Sequence, residues 1–176
     1  MTIAAIDSAR FRQVLGHHPT GVAAITSLDA QGQPLVMVVG TFTSVSLDPP
    51  LVGFLPDKRS ASWAALRATG RFVANVLAAD QAATCATLAG RGDKWAGVGW
   101  APSPAGLPVI DGALASVECT IEAVHDAGDH DFVLGRVSHL DVHGDGAPLL
   151  FSGADLLPAP RHVKRLAGIV ARVLEV

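Results

Sequence analysis

The apolar run from Pro34 to Pro56 leaves this chain the fewest choices. It is interrupted by Thr41, Thr43, Ser44, Ser46 and Asp48, and then by the Pro49–Pro50 pair. It cannot cross a membrane as one helix, which needs about 20 uninterrupted apolar residues. The proline pair also stops any helix from passing through. Strands around a rigid turn remain: one from Pro34 to Ser46, a turn at Asp48-Pro49-Pro50, and one from Leu51 to Leu55. The second is apolar on both faces and is therefore expected to be buried. Gly40 interrupts the first, and a glycine inside a strand marks a bulge or a close approach to the backbone.

The rest of the chain extends the pattern. Asp7 and Ser8 can cap a short helix carrying Phe11, Val14 and Leu15 at helical spacing. Gly21–Leu28 reads as a strand, and Asp29–Gln33 as a hairpin turn. Ser60–Arg67 reads as helical turns ended by Gly70, Arg71–Leu77 as a strand, and Asp80–Leu88 as a helix capped by Asp80. Residues 90–108 form an irregular loop rich in Gly and Pro. Ala113–Val124 and Phe132–Val142 flank a Gly128-Asp129-His130 turn, and Pro148–Phe151 is a last short strand. Six or seven strands joined mostly by short turns, without a strand–helix–strand rhythm, predict a mainly β fold. An antiparallel barrel with peripheral short helices fits that order. The predicted domain spans 1–158, and 159–176 is expected to form an amphipathic helix on the barrel or a partner subunit.

At 176 residues the chain is one domain by length. A net charge of −3 argues against a nucleic-acid partner. Hydrophobic residues at 49% against 16% charged exclude disorder and suggest that a subunit or ligand covers part of the surface. Cys85 and Cys119 form no CxxC pattern, and MTIAAIDSAR lacks the basic stretch and apolar core of a secretory signal. A reducing cytoplasm and no membrane association are expected.

One segment concentrates groups that bind phosphate. Asp57-Lys58-Arg59-Ser60-Ala61-Ser62-Trp63 follows a buried strand and opens a helix, so two cations, two hydroxyls and free helix N–H groups converge. An ordinary Ser-capped helix with two solvated basic residues reads the same way. No phosphate-cradling glycine loop occurs. The strand around Met37-Val38-Val39-Gly40-Thr41 could offer backbone groups to a flat heterocycle, or could be a plain barrel strand. The seven histidines match no metal motif. His139 and His143 fall on one face of a predicted strand, yet four strand residues span about 13 Å. No nucleophile elbow is present, the cysteines read as core thiols, and Glu118 and Glu122 read as a solvated strand face. With no evident acid, base or nucleophile, a bound cofactor becomes the more attractive source of chemistry.

Taken in order, several segments resemble the flavin reductase-like, FMN-binding split-barrel family. They include FRQVLGHHPTGVAAIT near the start, FTSVSLDPPLV at 42–52, SASW at 60–63 and GRFVANVLAADQ at 70–81. DKWAGVGW at 93–100, GLPVIDGALASVEC at 106–119, GDH at 128–130 and PLLF at 148–151 complete the series. The chain is similar in particular to small reductase components of two-component monooxygenases.

The resemblance implies a homodimer of antiparallel split β-barrels that binds FMN, or FAD, near the subunit interface. It implies that Met37, Val38, Val39, Gly40 and Thr41 lie along the isoalloxazine. Pro56, Asp57, Lys58, Arg59, Ser60, Ala61, Ser62 and Trp63 would hold the ribityl phosphate. Asn75 would lie on the flavin side, and His130 would contact the nicotinamide of NADH or NADPH. The implied activity is NAD(P)H:flavin oxidoreduction that supplies reduced flavin to a flavin-dependent oxygenase. The chain departs from family habit at Gly40-Thr41 and after Phe151, where it reads Ser152-Gly153-Ala154-Asp155. The second departure leaves open a non-catalytic flavin-binding or electron-transfer module on the same barrel. A metal-dependent enzyme built on the histidines is a third possibility.

Overall fold

A computed structural model describes residues 6–153 and 155–158 of the chain. The helix expected over 159–176 lies outside the described residues. The element order is α1 (Ser8–Leu15), β1 (Thr20–Gly21), β2 (Ala23–Leu28), β3 (Pro34–Val39), β4 (Thr43–Leu47), β5 (Pro50–Phe54), α2 (Ala61–Thr69) and β6 (Arg71–Val76). It continues with α3 (Ala82–Ala89), β7 (Trp100–Pro102), β8 (Pro108–Ile110), β9 (Ala115–Ala127), β10 (His130–Val142), β11 (Leu149–Ser152) and β12 (Asp155–Pro158). Seven strands form one antiparallel sheet in the order β3-β2-β6-β9-β10-β5-β4. Its edges, β3 and β4, share no ladder. The mainly β, antiparallel reading holds, while the sheet of the described residues is open rather than closed by strand pairing.

The long strand expected from Pro34 to Ser46 is two strands. The chain leaves the sheet at Gly40, where an added Cβ would lie 2.7 Å from Thr20 Oγ1. A neighbour brought in from β1 thus demands the glycine and ends β3. The strand expected over Gly21–Leu28 is likewise divided, with β1 pairing to β11 and β2 to β3 and β6. β12 was not foreseen. It folds back on β11 through a turn at Gly153, with Leu150 opposite Leu157.

Side chains alternate across a strand, so β2 and β3 feed two cores. Ala23, Ile25, Met37 and Val39 join Phe54, Trp63, Phe72 and Val133 on the α2 side. Val22, Ala24 and Val36 join Leu77, Cys85, Leu88 and Leu149 on the α3 side. Burial on both faces explains why these strands read as continuous apolar runs. α2 starts on Ser60, whose hydroxyl accepts from Trp63 N at 3.2 Å, and stops at Gly70 with φ 71°. Only a residue that tolerates the left-handed region ends a helix this way.

Three local expectations need correction. Asp80 does not cap α3: Gln81 occupies that position, and its side chain bonds Ala78 N and Asp111 O instead. Glu118 is not on a solvated face. It is buried where the 103–107 loop covers it, accepting from Ala105 N at 3.1 Å and from Ser138 Oγ. Glu122 does face solvent, in a two-point pair with Arg136. β10 ends at Val142, so His143 is not on the strand with His139, and it bonds Ser116 Oγ at 2.8 Å.

Cys85 and Cys119 are free and buried. Burial pushes the Cys119 thiol up to about 12. Its reactive thiolate is then present at about one part in ten thousand at pH 8. A thiol reagent at pH 8 should therefore label the native chain very slowly, and both cysteines promptly once guanidinium unfolds it. Rapid native labelling would show that the core opens locally. No helix among the described residues is long and apolar enough to cross a membrane.

Candidate functional site

The break between β3 and β4 lies at the centre of the candidate site. β3 is a sheet edge, so its outward backbone N–H and C=O groups are not used by a neighbouring strand. Beyond it, the Thr41 hydroxyl accepts from Leu55 N at 2.9 Å. That bond joins the Val38–Thr41 backbone to the segment that starts at Pro56. Val38, Val39, Gly40 and Thr41 also line a cleft of about 980 Å³, with Phe11 and Leu15 of α1 across it. Clefts of this size and apolar character suit ligands the size of an aromatic heterocycle. Met37 and Val39 turn their side chains into the α2-side core, so their main chain is the part available to a ligand.

The 56–63 segment folds onto the 128–131 turn. Asp131 N donates to Pro56 O at 3.0 Å, Lys58 N donates to Asp129 O at 3.1 Å, and Asp57 bridges His130. His130 Nδ1 donates to Asp129 Oδ1 at 2.7 Å, and this bond holds the Asp129 carboxyl below its usual range. The two cations of the segment are already engaged. Arg59 binds Asp57 through its Nε, its Nη2 and its own backbone N–H, and these bonds hold Asp57 down to about 2. Asp57 is therefore ionised at every pH at which the chain would be assayed. The turn loses this bonding only as pH falls from the ordinary carboxylate range through about 2. Lys58 pairs with Asp126 and with the Gly128 carbonyl.

Another cation reaches the helix start. Lys94 Nζ donates to the Ser62 hydroxyl at 2.9 Å. Its partner is neutral, so the charge stays available beside the first turn of α2. The first N–H groups of a helix have no intrahelical acceptor. With Ser60, Ser62 and Lys94 they form a donor set that fits a phosphate, and the β3 edge beside it fits a planar ring that needs backbone partners. Sequence reasoning placed Lys94 only within a family-like segment. Its separation of 32 residues from Ser62 hid the contact.

The other predicted positions fall elsewhere. Asn75 is 0% exposed and inside the core. Its Nδ2 donates to Ala24 O and Thr26 Oγ1, and its Oδ1 accepts from Ile110 N at 2.8 Å. These bonds join β2, β6 and β8. Trp63 is buried against Phe54, with its indole bonded to Asp131. Among the described residues, no three His, Cys, Asp or Glu side chains are placed to hold a metal ion.

Known proteins share this arrangement of segments. The flavin reductase like domain matches residues 15–158. The reductase subunit HsaB of a flavin-dependent monooxygenase from Rhodococcus jostii is 49% identical over 148 residues, covering 84% of this chain and 75% of that protein. SmoA of Agrobacterium fabrum, an FMN reductase (NADH), is 42% identical over 147 residues, covering 84% of this chain and 83% of that one. The crystal structure of nitrilotriacetate monooxygenase component B from Mycobacterium thermoresistibile superposes with a TM-score of 0.84 at 43% identity. It covers 90% of this chain and 89% of that one.

Proposed function

The chain belongs to the flavin reductase like domain family, and from that premise we propose how it works as an NAD(P)H:flavin oxidoreductase supplying reduced flavin to a flavin-dependent monooxygenase. The observation that supports the reading is the Thr41–Leu55 bond, which joins the end of the β3 edge to the segment leading into α2. The chemistry a bound flavin supplies is acceptance, at N5, of a hydride from nicotinamide C4. The protein's share is position and electrostatics. Backbone groups at Val38–Thr41 orient the ring, and N–H donors near its N1/O2 edge favour negative charge there. The hydroxyls of Ser60 and Ser62, the first N–H groups of α2 and Lys94 take the phosphate. Lys58 and Arg59 shape the turn through their carboxylate partners. His130, aimed by Asp129, faces the nicotinamide.

FMN is the preferred flavin in this reading and NADH the preferred donor, as in the name of the SmoA relative. The working form is a homodimer of split barrels. The exposed Ile6, Phe11, Val14 and Leu15 around α1 support an apolar subunit contact. Free Cys85 and Cys119 support a reducing, cytoplasmic setting.

The test is a visible spectrum of the protein with FMN, followed anaerobically by NADH and, separately, NADPH. Catalytic bleaching of the flavin bands, faster with NADH, is expected. Flavin that binds without bleaching would make the chain a non-catalytic flavin carrier, and absence of flavin binding would overturn the site altogether.

A further inference from the structure

Asp131 is 7% exposed, yet the reaction as proposed makes no use of it. Its carboxylate accepts from the Trp63 indole Nε1 at 2.8 Å and from Arg67 Nη1 at 3.4 Å. Its backbone N–H donates to Pro56 O at 3.0 Å. One residue is thus fastened both to the start of the 56–63 segment and to the first turns of α2. Its chain neighbour is His130. The Arg67 side chain is largely exposed, so its longer bond is screened by solvent. The indole bond is not: Trp63 is 2% exposed and its ring is fixed edge-on to Phe54 at 5.8 Å. Without that bond, the 128–131 turn would be tied to the segment mainly by backbone contacts and by Lys58 at the surface.

We propose that Asp131 is a positioning residue: through Trp63 it locks the His130 turn against α2, holding the nicotinamide-facing imidazole at a fixed place relative to the helix start that takes the flavin phosphate. The inference rests on the function proposed above. Asp129 aims the ring, and Asp131 fixes the turn that carries the ring. A buried carboxylate is suited to this task because an indole N–H offers one directed bond and no alternative partner. The cost of misplacement should appear where His130 acts, in the handling of the nicotinamide, and far less in flavin affinity.

The experiment is a double-mutant cycle on the full chain, assayed with FMN and NADH. Trp63→Phe removes the N–H and keeps an aromatic ring against Phe54. The KM for NADH should rise about tenfold, the low end for loss of one hydrogen bond to a charged group, with a smaller change in kcat. In the His130→Ala background the same substitution should leave KM unchanged, because its effect passes through the imidazole. Asp131→Asn retains an acceptor for the indole and should keep KM within about twofold of the parent. Asp131→Leu should reproduce Trp63→Phe, and if it does not fold, the Trp63→Phe cycle decides alone. A rise in KM that persists in the His130→Ala background overturns the proposal. So does a lower melting temperature with unchanged KM, which would make the bond purely structural. A parent chain that oxidises no NADH in the presence of FMN refutes the functional reading itself, before any variant is compared, and this inference with it.

Discussion

Replacing Phe54 with alanine is expected to destabilise the chain by about 3–5 kcal/mol, the range for deleting a buried aromatic ring. Phe54 is 0% exposed. Its ring meets Trp63 edge-on at 5.8 Å and Phe72 at 5.3 Å. It therefore joins the last residue of β5 to α2 on one side and to β6 on the other. The sheet backbone cannot collapse into the space left, because β5 is held by ladders to β4 and β10. Native domains are stable by only about 5–15 kcal/mol, so the loss would consume much of the whole. Urea unfolding should show a lower midpoint with an unchanged slope. A loss below about 1 kcal/mol would mean that Trp63 and Phe72 close the gap, which the cavity argument does not allow.

The second large effect concerns the charge that arrives from outside the predicted segment. Lys94→Met should weaken FMN binding by about ten- to a hundredfold, the scale of a lost hydrogen bond to a charged group. Riboflavin, which has the ring and no phosphate, should bind equally well to the parent and the variant. Arg59→Ala should weaken FMN binding by less than about threefold, because exposed ion pairs contribute little and Arg59 is already committed to Asp57. Fluorescence titration with both flavins separates these cases. Equal losses for FMN and riboflavin would remove Lys94 from the phosphate. A larger loss at Arg59 than at Lys94 would return the phosphate to the segment's own cations.

The contrast between Lys94 and Arg59 shows where the sequence was legible. The helix start at Ser60, its stop at Gly70 and the Asp29–Gln33 turn are local events. In the turn, Asp29 Oδ1 accepts from Gln31 N and Gln33 N. Each depends on residues within about one turn of chain, so residue type and spacing suffice to read it. Glu118 misled for the same reason. Alternation correctly put its side chain on one face of β9, but whether that face is wet depends on the 103–107 loop, which returns from elsewhere to cover it. Asn75 shows no partner in the sequence. Its partners, Ala24, Thr26 and Ile110, sit on other strands.

By itself the sequence determined the kind of molecule this is. Its short apolar runs, proline pair and turn residues favour antiparallel strands, and its ordered segments resemble one flavin-binding family. The tertiary structure alone decided which charges remain available. It paired Lys58 with Asp126, 68 residues away, and carried Lys94 to Ser62. The physical reason is range. Backbone preference and capping act over a few residues of chain. Hydrogen bonds and ion pairs act over a few ångströms of space, and only the folded path of the loops determines which residues meet at that distance.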